Sequence, residues 1–175
     1  MPTTAAAIRR HVIAVIVDNE PGILARVVGL FSGRGYNIES LTVAEVSHAR
    51  HLSRITVVTA GTEMVVDQIK AQLGRLVPVH TVADLTTEGA HVERELGLIK
   101  VRCTGEKRVE ALRIADIFRA RALDATQESF VFEVTGGPQK LDAFCNLMEP
   151  LGLVEVCRTG VVAIGRGPVA IGEAS

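Results

Sequence analysis

The same order of strands and helices is predicted twice along this chain, and this duplication constrains the fold more than any other sequence feature. In the first half, β-branched and alternating apolar residues predict four strands, and apolar residues at helical spacing predict two helices. The order strand, helix, strand, strand, helix, strand is that of a ferredoxin-like unit, in which two helices pack on a four-stranded antiparallel sheet. We predict strands at 10–17, 36–46, 51–60 and 77–85, and helices beginning at Gly22 and Thr62.

A second copy follows a break in the pattern at residues 86–89. Strands are predicted at 98–103, 129–135 and 153–162, with helices at 111–121 and 141–151. We therefore predict an α+β protein of two tandem ferredoxin-like βαββαβ units, with domains at 1–85 and 86–175. The alignment between the copies pairs Val27, Leu30, Phe31 and Arg34 with Ile114, Ile117, Phe118 and Arg121, and pairs Gly61, Asp67 and Ile69 with Gly136, Asp142 and Phe144.

Size and charge exclude several classes of partner. The 175 residues suffice for one core or two small ones, and the net charge of −1 is spread without a basic block, so we expect no nucleic-acid partner. The apolar run at 12–17 is only six residues long, too short for a membrane span or a signal-peptide core. We expect a cytoplasmic protein that does not bind membranes.

No residue pattern typical of catalysis, metal binding or phosphate binding is found. The cysteines are odd in number and lack Cys-x-x-Cys spacing, so we predict free thiols. No phosphate-binding glycine motif follows a strand, and no nucleophile-elbow or His-Glu-x-x-His motif occurs. We predict no catalytic residue and no metal site in this chain. The residues concerned are Cys103, Cys145 and Cys157, and His11, His48, His51, His80 and His91.

The loop between the first strand and the first helix is the candidate site. A helix that begins at Gly22 presents the unpaired N–H groups of residues 22–24, and its dipole favours an anion by about 0.3–1 kcal/mol, which suits a carboxylate. Asn19 can both donate and accept hydrogen bonds, as recognition of a zwitterionic amino acid requires. In the second copy these positions align with Glu106 and Val109, so the site belongs to the first copy. An ordinary turn and helix cap remains the alternative.

Four strings of residues carry a resemblance to a known family. They are Asp18–Leu24 (DNEPGIL), Gly33–Val43 (GRGYNIESLTV), Gly89–Glu95 (GAHVERE) and Arg158–Ala163 (RTGVVA). Together they closely resemble the small, regulatory subunits of acetolactate synthase, and the match spans about residues 10–167. Glycine-bearing strand-to-helix loops are shared by amino-acid-sensing ACT domains generally, whereas the second and third strings narrow the resemblance to this enzyme's subunit.

The resemblance implies a non-catalytic chain with an N-terminal, effector-binding ACT domain and a related C-terminal domain. Such a chain activates the large catalytic subunit and makes it sensitive to feedback inhibition by valine or another branched-chain amino acid. Thiamine diphosphate, Mg²⁺ and FAD are implied only for that large subunit, with no cofactor in this chain. The family forms a homodimer through its ACT domains and holds the effector there. The implied effector-binding residues are Asn19, Gly22, Ile23 and Leu24, with Asn37 and Ile38 from the partner chain.

Three alternatives stay open at the level of the sequence. A free-standing ACT-type sensor of a different enzyme would carry the same site. A small ferredoxin-like enzyme would use Cys103 or a histidine. An assembly module would pair subunits through open sheet edges and bind no small molecule.

Overall fold

The computed structural model describes residues 7–173 and confirms two successive antiparallel βαββαβ units. Their sheets have the strand orders β2-β3-β1-β4 and β6-β7-β5-β8, so corresponding strands occupy corresponding places in the two copies. The first unit contains β1 (Arg9–Asp18), α1 (Ile23–Ser32), β2 (Ser40–Ser47), β3 (Leu52–Gly61), α2 (Glu63–Leu73) and β4 (Val79–Asp84). The second contains β5 (His91–Arg102), α3 (Gly105–Ile117), β6 (Arg121–Ala125), β7 (Ser129–Gly136), α4 (Pro138–Gly152) and β8 (Leu153–Arg158), and the short β9 (Val162–Gly165) pairs with β5.

One core of the first unit lies between its sheet and its two helices. Side chains alternate across a strand, so the odd-numbered residues of β1 all point towards α1 and α2. They pack against an apolar stripe on each helix, whose members recur at spacings of three and four residues. The fully or nearly buried members are Ile13, Val15, Val17, Ile23, Val27, Phe31, Val66, Ile69 and Leu73.

A second core covers the opposite face of the same sheet. Val12 and Ala14 of β1 lie on this face, and the cover is supplied by Val161 and Ala163 after the chain has passed through β8. Three side chains of β2 and β3 bind the backbone of this returning segment. The hydroxyl of Thr42 donates to Val161 O at 3.1 Å, Val161 N donates to Ser40 Oγ at 2.7 Å, and Arg54 Nη2 donates to Ala163 O at 2.6 Å.

The chain therefore divides differently from the predicted boundary after residue 85. One compact unit comprises the described residues up to Val92 together with those from Val161 onwards, and the other spans Glu93–Gly160. The predicted domain of residues 86–175 thus differs at both ends. Sequence periodicity gives no signal for this division, because it does not show which sheet a terminal strand covers.

The second unit has its own core and an ion-pair cluster. Phe132 and Phe144 meet edge to face, with ring centroids 5.9 Å apart, in a core that also contains Ile99 and Val101 of β5. Arg158, the last residue of β8, donates to both carboxylate oxygens of Glu95 on β5, at 2.8 and 2.7 Å, and to Asp142 of α4 at 2.6 Å. The hydrogen bonds to these carboxylates raise the pKa of the Arg158 guanidinium.

Several elements of the second unit differ from those predicted. β5 begins at His91 instead of residue 98, α3 begins at Gly105 instead of residue 111, and β6 is absent from the prediction. The strand predicted at 153–162 is divided, since Gly160 takes a φ of +84° between β8 and β9. None of the helices in residues 7–173 is both long and apolar enough to cross a membrane.

Candidate functional site

The loop between β1 and α1 is held on both sides by backbone hydrogen bonds. The N–H of Asn19 donates to His51 O at 2.6 Å, and the N–H of Asp18 donates to Pro78 O at 2.8 Å. These bonds attach the loop to the β2–β3 connection and to the segment before β4. The loop is therefore fixed by its neighbours in the fold, although Asn19 itself is exposed.

Gly22 takes a backbone conformation that favours glycine. Its φ of +86° and ψ of −7° are left-handed, and a Cβ at this position would meet nothing within 4 Å. Gly22 is the N-cap, so α1 begins at Ile23, one residue later than predicted. In the part of the chain that the structure describes, no side chain caps α1, and nothing accepts from the N–H of Gly22 or Leu24. The N–H of Ile23 donates to Glu20 O at the long distance of 3.4 Å.

The carboxylates that flank this loop each have a basic neighbour. Asp18 Oδ1 lies 2.6 Å from His80 Nε2, and Glu20 Oε1 lies 3.9 Å from Arg26 Nη1. The first turn of α1 contains no acidic residue. The absence of an acidic side chain from the first turn limits the negative potential at the helix N-terminus, where the helix dipole favours an anion.

The predicted site residues differ in accessibility. Asn19, Gly22 and Asn37 are exposed, and Leu24 is 39% exposed. Ile23 is only 6% exposed because its side chain belongs to the core under α1, so the predicted apolar contact between this side chain and an effector does not fit the structure. The half-buried Ile38 also packs against that core.

The structure places Asn37 and Ile38 in the connection before β2, not on that strand as the resemblance implies, because β2 begins at Ser40. The hydroxyl of Thr59 on β3 donates to Asn37 O at 2.6 Å. In the sheet, Thr59 pairs with His11 near the start of β1, whereas the Asn19 loop follows the end of β1 at Asp18. Seven residues of extended chain, about 23 Å, separate these two levels.

The two groups of predicted site residues therefore lie at opposite ends of one sheet. A single copy of the chain does not bring Asn37 to the Asn19–Gly22 loop. This arrangement is compatible with Asn37 acting on a second copy, as the resemblance implies.

Other chemistry-bearing residues are dispersed or engaged in structure. Among residues 7–173, no group of three or more His, Cys, Asp or Glu side chains is arranged to hold a metal ion. His11 is buried, with its Nδ1 2.7 Å from Asp84 Oδ2. Cys103 is buried and Cys145 half-buried, and burial raises the pKa of both thiols.

Sequence reasoning missed the Arg158 cluster and the contacts to the returning segment. The available signal was in the third and fourth strings of the resemblance, because Glu95 ends one and Arg158 begins the other. Their bidentate contact joins the two strings in the structure. Ser40 and Thr42, which bind Val161, lie within the second string.

Comparisons with known proteins find similarity to one family along most of the chain. Residues 13–81 match the family model described as the AHAS small subunit-like ACT domain, and residues 94–167 match the model described as the small subunit of acetolactate synthase. A probable acetolactate synthase small subunit of Archaeoglobus fulgidus is 48% identical over 158 residues, covering 90% of this chain and 98% of that protein. The acetolactate synthase isozyme 3 small subunit of Escherichia coli is 46% identical over 159 residues, covering 90% and 96%.

One solved structure is similar to this chain over most of its length. The crystal structure of the acetolactate synthase small subunit from Thermotoga maritima superposes with a TM-score of 0.82 at 38% sequence identity, covering 92% of this chain and 99% of that one. The similarity therefore includes both βαββαβ units.

Proposed function

This chain belongs to the family of acetolactate synthase small subunits, the regulatory and non-catalytic component of that enzyme, and we propose that it binds a branched-chain amino acid between the N-terminal units of two copies. The bound amino acid would inhibit the large, catalytic subunit, which the small subunit otherwise activates. The observation that carries this proposal is the separation of Asn37 from the Gly22 loop within one chain, because a site that uses both requires two chains.

The acid end of the effector is assigned to the start of α1. The N–H groups of Gly22 and Leu24 have no acceptor among the described residues, and the absence of a Cβ at Gly22 leaves space for a carboxylate. A carboxylate there would gain hydrogen bonds from otherwise unpaired donors and a favourable interaction with the helix dipole.

The ammonium and the side chain of the effector are assigned to the remaining residues. The amide oxygens of Asn19 and the partner's Asn37 can accept from an ammonium. Since the Ile23 side chain is buried, the apolar contact falls to the half-exposed Leu24 and to Ile38 of the partner subunit. We assign Ile23 a backbone role only.

The open edge of β2 offers a way to pair two copies. β2 is the terminal strand of its sheet, and Val43 and Val46 on it are 44% and 54% exposed. Antiparallel pairing of this edge with its own copy would be two-fold symmetric and would set Ser40 of one chain beside Ser47 of the other. Ser47 pairs with Leu52, and Leu52 pairs with Asp18, the last residue before the Asn19–Gly22 loop. The partner's Asn37, three residues before the partner's Ser40, would therefore lie at the end of the sheet that carries this loop.

Effector binding at such an interface can bias how the two chains pack. A bias of this kind can reach an attached enzyme as a coupling free energy of about 1–3 kcal/mol, and the coupling must be reciprocal. The catalytic subunit should therefore alter the affinity for the effector. Thiamine diphosphate, Mg²⁺ and FAD are expected in that subunit and not in this chain.

A charge placed at Gly22 tests the carboxylate position. Gly22→Asp should weaken valine binding about tenfold or more, because a fixed negative charge would oppose the effector carboxylate. Gly22→Asn is the matched control, since asparagine has the same shape and also tolerates a left-handed backbone without adding charge. Calorimetric titration of the full-length chain with valine, leucine and isoleucine measures the affinities. Equal affinities of the two variants would contradict the assignment.

Reconstitution with the large subunit tests the regulation. Acetolactate formation should rise on addition of the wild-type chain and fall when valine is then added, whereas Asn37→His should preserve the activation and lose the inhibition. Activation without any response to branched-chain amino acids would contradict the effector proposal. No effect on the large subunit would favour a sensor for a different enzyme.

A further inference from the structure

We propose that Thr59 is a positioning residue for the effector site, acting through the backbone of Asn37. This inference rests on the proposed function. Asn37 lies in the connection between α1 and β2, outside any helix or strand, so its orientation depends on what anchors this connection.

The anchor is a buried hydroxyl on a central strand. Thr59 is 1% exposed, and its Oγ1 donates to the carbonyl oxygen of Asn37 at 2.6 Å. β3 is bounded by β2 on one side and β1 on the other, where Thr59 pairs with His11. The donor is therefore held by the β1–β3 ladder, and the β2–β3 ladder begins at the adjacent residue, where Val58 pairs with Ser40.

The neighbouring residues limit how the connection can move once this bond is formed. The N–H of Glu39 donates to Val58 O at 2.8 Å, and the N–H of Tyr36 donates to Phe31 O at 3.0 Å. Asn37 lies between these two points, and the Thr59 hydroxyl fixes the peptide unit between them. Loss of the hydroxyl would free the peptide that carries the Asn37 side chain and would leave its carbonyl without this partner.

Replacement by an apolar side chain of the same shape tests the role. Thr59→Val should weaken valine binding by about two- to tenfold, which corresponds to one hydrogen bond. Thr59→Ser retains the hydroxyl and should restore affinity to within about twofold of wild type. Thr56→Val is the matched control, because Thr56 is buried on the same strand, on the opposite face of the sheet, and should leave the affinity unchanged.

A double-mutant cycle separates positioning from general damage to the fold. In an Asn37→Ala background, Thr59→Val should weaken valine binding by less than about twofold, because the side chain that it positions is gone. Calorimetry on the full-length chain measures all four affinities, and thermal unfolding checks that the variants fold. If Thr59→Val fails to fold, Thr59→Cys replaces the hydroxyl with a weak S–H donor and should bind with intermediate affinity.

The outcomes distinguish this inference from the proposal on which it rests. Equal affinity of wild type and Thr59→Val, or failure of Thr59→Ser to restore binding, would overturn the role of Thr59 alone. An equal loss of affinity with and without the Asn37 side chain would also overturn it. A wild-type chain that binds no branched-chain amino acid would overturn the proposed function and this inference together.

Discussion

The cysteines should react in an order set by burial. Cys157 is exposed, whereas burial raises the thiol pKa of Cys145 and Cys103 and reduces their thiolate fraction at neutral pH. We expect iodoacetamide to modify Cys157 first and Cys103 last in the folded chain. Modification of the two slower thiols should accelerate as the pH rises towards their raised pKa. Peptide mass spectrometry over time measures the three rates.

Denaturant provides the control for this order. In the unfolded chain the three cysteines should react at similar rates, because burial no longer differs between them. Modification of folded Cys103 as fast as that of Cys157 would contradict the expected burial.

The residues at the start of α1 were predictable from the sequence only in part. Gly22, placed before an apolar helical stripe, predicted a helix start without a side-chain cap, and the structure has this feature, although the N–H of Ile23 is paired with Glu20 O. The same pattern did not show that the Ile23 side chain faces the core, because the first residue of a short helix can point either way until the sheet position is known. The hydrogen bond from Thr59 to Asn37 joins residues 22 positions apart and leaves no local signal in the sequence.

At the scale of elements, helices with one buried face were predicted well, whereas one strand that is exposed on both faces was missed. β6 was missed because all five of its residues are exposed. Neither face of this strand is buried, so nothing requires apolar and polar residues to alternate along it. The start of β5 was missed because charged residues occupy it, and its backbone partners on β7 and β9 lie far away along the chain. The start of α2 was predicted within one residue and both ends of α4 within three, since each helix has a continuous apolar stripe.

The turn from α4 into β8 depends on one glycine. Gly152 has a φ of +116°, and a Cβ there would overlap the carbonyl group of Arg102. We expect Gly152→Ala to lower the free energy of unfolding by about 2–4 kcal/mol, from backbone strain and from overlap with a backbone atom that cannot move aside. Urea denaturation followed by circular dichroism measures the change.

Gly105 offers a matched control in the same unit. Its φ is +59°, but a Cβ there would meet nothing within 4 Å, so Gly105→Ala should cost only about 1–2 kcal/mol. Equal costs at the two positions would show that steric overlap contributes nothing at Gly152.

At the scale of the whole molecule, the two repeats are predictable from sequence but their completion is not. The first unit uses residues from both ends of the described chain, and its second core forms only with Val161 and Ala163. Alignment of the repeats cannot reveal this, because the returning segment has no counterpart in the other copy. Its sequence, short and rich in small residues, is compatible with either unit.

Truncation tests the contribution of the returning segment. A chain that ends at Gly160 should lose about 2–4 kcal/mol of stability, because Val12, Ala14 and Val58 become exposed to water. It should also bind the dye ANS. A chain that ends at Gly165 keeps Val161 and Ala163 and should lose less, through the contact of Ile171 alone. Identical unfolding curves for both truncated chains and the full-length chain would contradict this expectation.

The same return of the chain has a consequence for biosynthesis. Domains generally fold in the order in which they leave the ribosome, but here the second core of the first unit must wait for Val161, which is made 77 positions after Asp84, the end of the fourth strand. At roughly 5–20 residues per second, a nascent chain carries one bare apolar sheet face for several seconds. During that interval the newborn polypeptide presents a surface on which a chaperone can dock or a neighbouring nascent chain can aggregate.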